Sequence, residues 1–111
     1  MFITEINNEQ IIFSDGSYII FDHMQSCCEY NFADFSILTA HNKEIFKLHF
    51  SKVDIQPKNE GFILSLDKHK FWIPCYSEQN GYYTCDITIY YMDKYHELIK
   101  EINLECEERY C

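Results

Sequence analysis

The stretch Met92-Asp93-Lys94-Tyr95-His96-Glu97-Leu98-Ile99-Lys100-Glu101-Ile102-Asn103-Leu104-Glu105-Cys106 decides the fold class of this chain. Met92, Tyr95, Leu98, Ile99, Ile102 and Cys106 recur every three or four residues, the stripe of an amphipathic helix. Asp93 stands at its start, where a side-chain carboxylate caps free backbone N–H groups. The pattern predicts a helix over about 93–108, its apolar stripe packed on the elements that precede it.

Upstream, the period is two. Gln10-Ile11-Ile12-Phe13 and Ser17-Tyr18-Ile19-Ile20-Phe21 flank Ser14-Asp15-Gly16, and Asp-Gly between apolar runs signals a hairpin. A two-residue Asp15-Gly16 turn pairs Phe13 with Tyr18, Ile11 with Ile20 and Ile12 with Ile19. Both faces are then apolar, which predicts that both are covered. Residues 30–43 read as a short helix or an irregular loop. Phe46, Leu48 and Phe50 alternate as a half-buried strand, residues 56–61 form a turn, and Phe62, Leu64 and Leu66 alternate again. A last hairpin takes a three-residue Gln79-Asn80-Gly81 loop, which pairs Cys75 with Cys85, Ile73 with Ile87 and Phe71 with Ile89. Pro74 has no N–H for a ladder, so its strand is an edge or carries a bulge. The expectation is a single α+β domain: an antiparallel sheet of about five or six strands over about 1–91, with the C-terminal amphipathic helix on one face.

The chain has 111 residues, 47% hydrophobic and 17% aromatic, with three Gly and two Pro, which suits one strand-rich core. A net charge of −9 disfavours direct binding to nucleic acid or to an anionic membrane, because phosphates are held by Lys and Arg. It suits a basic protein partner, or plain solubility. Met1 to Glu5 lack the basic and apolar regions of an export signal, and no apolar run reaches the length of a membrane span. The expected setting is the cytoplasm, with six reduced thiols.

Chemically versatile side chains concentrate in His23-Met24-Gln25-Ser26-Cys27-Cys28-Glu29. His23, Cys27 and Cys28 are candidate zinc ligands, with Cys75 and Cys85 as distant partners, although no C-x-x-C pair is present. The bland counterpart is that cysteines pack as small hydrophobes. A Cys–His nucleophile pair can be drawn from the same residues, but Glu29 beside a thiol raises its pKa and no glycine-rich turn offers an oxyanion hole. Cys75 opposite Cys85 would also be a strained, reducible pair. On the predicted helix, Asp93, Glu97, Glu101 and Glu105 sit four apart with Glu108 behind them, an acidic ridge or a solvated face. Tyr76, Tyr82 and Tyr83 bracket Asn80 as candidate contact residues.

Phe13-x-Asp15-Gly16, His23-x-Gln25-x-Cys27-Cys28-Glu29 and Ser77-Glu78-Gln79-Asn80-Gly81-Tyr82-Tyr83-Thr84 together resemble the motifs of an uncharacterised family of small phage and bacterial domains. The resemblance covers roughly residues 10–90. Gln79 before Asn-Gly, and Lys70-Phe71-Trp72-Ile73, depart from the family pattern. No activity comes with the resemblance. It implies a mobile-element setting, in which small acidic proteins act by binding and blocking a host factor. The expected function is therefore a non-enzymatic inhibitor that occupies a basic surface of a partner, such as a nucleic-acid-handling host or defence enzyme, through Glu97, Glu101, Glu105, Glu108, Tyr76, Asn80, Tyr82 and Tyr83. The protein would be a monomer or homodimer. The alternatives are a metal- or thiol-dependent protein and a structural subunit that self-associates through aromatic strands.

Overall fold

Alternation with a period of two runs further along this chain than a C-terminal helix allows. The computed structural model describes residues 1–22, 29–41, 44–79 and 86–110. In chain order these form β1 (Ile3–Ile6), β2 (Gln10–Phe13), β3 (Tyr18–Phe21), β4 (Glu29–Ala33), the helix α1 (Ser36–His41), a 3-10 turn (Ile45–Lys47), β5 (Val53–Lys58), β6 (Gly61–Leu66), β7 (His69–Gln79), β8 (Asp86–Met92), β9 (Leu98–Glu105) and β10 (Glu107–Tyr110). Two five-stranded sheets result. The first has the order β1-β2-β3-β8-β9, and the second β10-β7-β6-β5, with β4 also paired to β7. The architecture is mostly β, which overturns the α+β expectation.

The predicted helix over 93–108 is instead the β8–β9 turn, β9 and β10. Asp93 does accept backbone N–H groups, but as a turn rather than a helix cap. Its Oδ1 accepts from Tyr95 at 2.8 Å and Glu97 at 3.0 Å, its N–H donates to the Glu97 carbonyl, and His96 takes a φ of 67°. Aspartate favours such closures because its short side chain mimics a backbone turn. Beyond the turn, Glu101-Ile102-Asn103-Leu104-Glu105-Cys106 alternates strictly, with Ile102, Leu104 and Cys106 buried and the other three exposed. Ile102 and Cys106, four apart, share a face in a helix and in a strand alike. Leu104, outside the helical stripe, is buried as only the strand reading requires.

The first hairpin is slipped by one residue from its predicted register. Gln10 pairs with Ile20, Ile11 with Ile19 and Ile12 with Tyr18. The Phe13 N–H donates to Ser17 and the Gly16 N–H to Phe13, which makes a three-residue loop with Gly16 at φ 88°. That is a turn followed by a left-handed bulge glycine. The slip collects Ile11, Phe13, Ile19 and Phe21 on the core side.

The last predicted hairpin does not form. β7 pairs with β4, β6 and β10, whereas β8 pairs with β3 and β9. Ile73, Cys75, Ile87 and Ile89 are all buried in one core. Their matched alternation arises because the inner faces of two sheets oppose each other across that core, not because the strands are hydrogen-bonded. Pro74 lies at a handover inside β7. It is opposite Gly61 in the last β6–β7 pair, and pairing to β4 begins at Cys75. A residue without an N–H is tolerated where one ladder gives way to the next.

Residues 46–50 also depart from expectation. Phe46 is exposed within the 3-10 turn, while Phe50 is buried and exchanges backbone hydrogen bonds with Met1 at 2.6 and 2.9 Å. The segment covers the β1 edge without joining the sheet. One polar group crosses the core: the Ser77 hydroxyl donates to Asn31 Oδ1, and Asn31 Nδ2 donates to the Asp86 carbonyl at 3.0 Å. These bonds tie β4 and β7 to the start of β8, and a satisfied buried network of this kind fixes one arrangement of the two sheets. The molecule is a slab of 42 × 30 × 21 Å, the thickness expected of two sheets about 10 Å apart with their outer side chains.

Candidate functional site

Side chains alternate between the two sides of each strand, so every core row implies an outer row. On the first sheet, Ile12, Tyr18, Met92 and Leu98 stand opposite one another across β2, β3, β8 and β9. The adjoining row runs Gln10, Ile20, Tyr90, Glu101. Ile12, Tyr18, Ile20, Tyr90 and Met92 are half-buried and Leu98 is 52% exposed, so this outer face has an apolar, tyrosine-bearing centre. Among the described residues no element covers it. Contiguous exposed apolar surface of this kind marks interaction sites on soluble proteins.

Carboxylates frame that centre. Glu5 is paired with Ile12 on β1, Glu101 ends the second row, and Glu105 lies directly opposite Asp86. Like charges directly opposite in a sheet destabilise it. No Lys or Arg projects from the described strand positions of this face. Lys100, opposite the core residue Tyr91, turns instead toward β5 and holds Asp54 Oδ1 at 2.7 Å. At one end the Tyr18 hydroxyl meets His96 Nδ1 at 2.7 Å, which anchors the β8–β9 turn against β3.

The structure divides the predicted contact residues. Glu101 and Glu105 share this outer face, since a spacing of four keeps them together on a strand, and Glu97 lies in the adjoining turn. Glu108 is on β10, in the other sheet. Tyr76 is on the outer side of β7, against the Phe32 ring at 5.7 Å. The acidic ridge and Tyr76 therefore do not form one surface. Asn80, Tyr82 and Tyr83 lie outside the described residues.

Of the proposed zinc ligands, His23, Cys27, Cys28 and Cys85 also lie outside the described residues. Cys75 is fully buried, and burial, with the Cys106 thiol beside it, pushes its pKa far above the ordinary thiol range. A ligand thiolate needs the opposite shift. Among the described residues, no group of three His, Cys, Asp or Glu side chains is placed to hold a metal ion. Nor does any described helix have the length and apolarity to cross a membrane.

A cleft of about 460 Å3 is lined by Lys52, Asp54, Ser65, Asp67 and Lys68. Its carboxylates already have structural tasks: Asp67 accepts the Ser51 and Lys52 N–H groups, and Asp54 holds Lys100. The sequence reading did not single out Ile12, Tyr18, Ile20, Tyr90, Met92 and Leu98 as candidate contact residues. Their signal was the two-sided apolarity of Gln10–Phe13, Tyr18–Phe21 and Asp86–Met92, whose second side no described element covers.

No protein-family model matches the chain, and no curated protein or solved structure is significantly similar to it.

Proposed function

We propose that this protein is a binding module whose outer first-sheet face docks on a partner protein with an apolar patch ringed by Lys or Arg. The observation that carries this reading is the open row Ile12–Tyr18–Met92–Leu98 beside Ile20 and Tyr90, framed by Glu5, Glu101, Glu105 and Asp86. An apolar centre with a polar rim is the anatomy of a protein interface, and tyrosines supply large contact area at low entropic cost. The acidic frame steers a basic partner and rejects acidic ones. Blocking a host factor, as the motif resemblance implies, is one use of such a face.

The test is affinity capture from cell extract with wild-type, Ile20→Asp and Glu105→Lys baits. Ile20→Asp is expected to lose a partner that the wild type retains. Glu105→Lys relieves the repulsion from Asp86 and is expected to hold or raise stability by about 0.2–1 kcal/mol while weakening capture. Equal capture by all three baits contradicts the proposal.

A further inference from the structure

This inference rests on the docking face above and names an occupant for it. We propose that a second copy of the chain fits that face, seated by its own opposite side, so that copies associate head to tail.

The outer face of β5–β7 has the complementary character. Its central row is Gln56, Ile63, Trp72, flanked by the rows Lys58, Gly61, Pro74 and Asp54, Ser65, Lys70. Trp72 is 42% exposed and its ring lies over Gly61, where an added Cβ would meet Cη2 at 2.5 Å. The indole thus packs against the Gly61 backbone while much of it stays exposed. Tyr76, two pairs further along the same side of β7, extends the aromatic surface to Phe32.

Charge near Trp72 is also complementary to the first face. Around Trp72 the outer side of β5–β7 holds Lys58 and Lys70 against Asp54, whereas towards Tyr76 the same side turns acidic, with Glu78 next along β7 and Glu107 opposite Tyr76 on β10. Asp54 and Asp67 are further occupied, by Lys100 and by the Ser51 and Lys52 N–H groups. A lysine-flanked tryptophan platform thus backs an apolar face framed by carboxylates. Pairing the first face with itself would instead bring two carboxylate-framed rims together, with no Lys or Arg from the described strand positions of that face between them.

The two faces are on opposite sides of one slab, so the contact is heterologous and does not close; copies stack into open chains. The broad side, 42 × 30 Å, has room for the roughly 800 Å2 per partner of a standard interface. Like net charge between copies opposes stacking at long range, but at physiological salt the Debye length is about 8 Å and only the facing rims are felt strongly.

Sedimentation velocity on the full chain tests this. Wild-type weight-average mass is expected to rise with concentration past twice the 13.4 kDa chain mass. Ile20→Asp and Trp72→Ala, each with one face disabled, are expected to sediment as monomers. Their equimolar mixture is expected to give a species of two chains and nothing longer, since each supplies the face the other lacks. Tyr90→Asp and Lys70→Glu replace either variant that loses its far-ultraviolet β signature. A monomeric mixture, or single variants that polymerise like wild type, overturns the proposal. Wild type that stays monomeric overturns it as well, and if its Ile20 face still captures a foreign protein, the docking function stands while self-association falls.

Discussion

Gly61 and Trp72 act as a unit, since the glycine leaves the space into which the indole lies down. A Cβ at Gly61 would come within 2.5 Å of both the Trp72 ring and the Ile73 carbonyl oxygen, and the backbone oxygen cannot yield. Gly61→Ala is therefore expected to cost about 1–3 kcal/mol in denaturant titration, the range for overpacking, and to shift Trp72 fluorescence toward the solvent-exposed wavelength. Cys75 makes a second expectation at this scale. Burial holds its thiol protonated well past the ordinary value of 9.0, whereas the unfolded chain ionises there. Stability from this group is complete below that pH and falls above it, by up to about 1.4 kcal/mol per pH unit. Denaturant titrations between pH 8 and 10.5 should show the fall in wild type and a shallower one in Cys75→Ala. Equal slopes would mean that the thiol is accessible in the fold.

The β8–β9 hairpin is the element that settles the fold class, and Asp93 closes it. Asp93→Ala removes the acceptor for the Tyr95 and Glu97 N–H groups, an expected loss of about 1 kcal/mol, measured by thermal unfolding, with faster amide exchange confined to β9 and the turn. A shift toward helical circular dichroism would contradict the assignment. Much of this was legible before the structure. The strands at Gln10–Phe13, Gly61–Leu66 and Asp86–Met92 follow from alternation, and the Asp15-Gly16 turn from its residues. The C-terminal strand was misread because Ile102 and Cys106, four apart, fit both periods; the buried Leu104 and the exposed Tyr95, Leu98 and Ile99 of the supposed stripe separate them. The β7–β8 pairing was misread because alternation reports which face is buried and is silent on whether two like faces are neighbours in one sheet or opposed across two.

For the whole molecule, the same ambiguity hid the candidate docking face. Two-sided apolarity in β2, β3 and β8 marks an outer face that no described element covers, and the amphipathic helix expected on one side of the sheet does not form. Glu101 and Glu105 fall on one side in the helical reading and in the strand alike, since a spacing of four keeps them together either way. What sequence could not convey is which charged residues share a face, because that depends on which strands share a sheet.

The most direct measurement places a photo-crosslinking benzoylphenylalanine at position 20, in the centre of the first-sheet face, or at position 46, where Phe46 is a solitary exposed apolar residue in the 3-10 turn. Irradiation in cell extract is expected to give a discrete protein adduct from position 20, whether with another copy of the chain or with a foreign protein, and none from position 46. No adduct from position 20, or the same adducts from both positions, would contradict a docking role for this face.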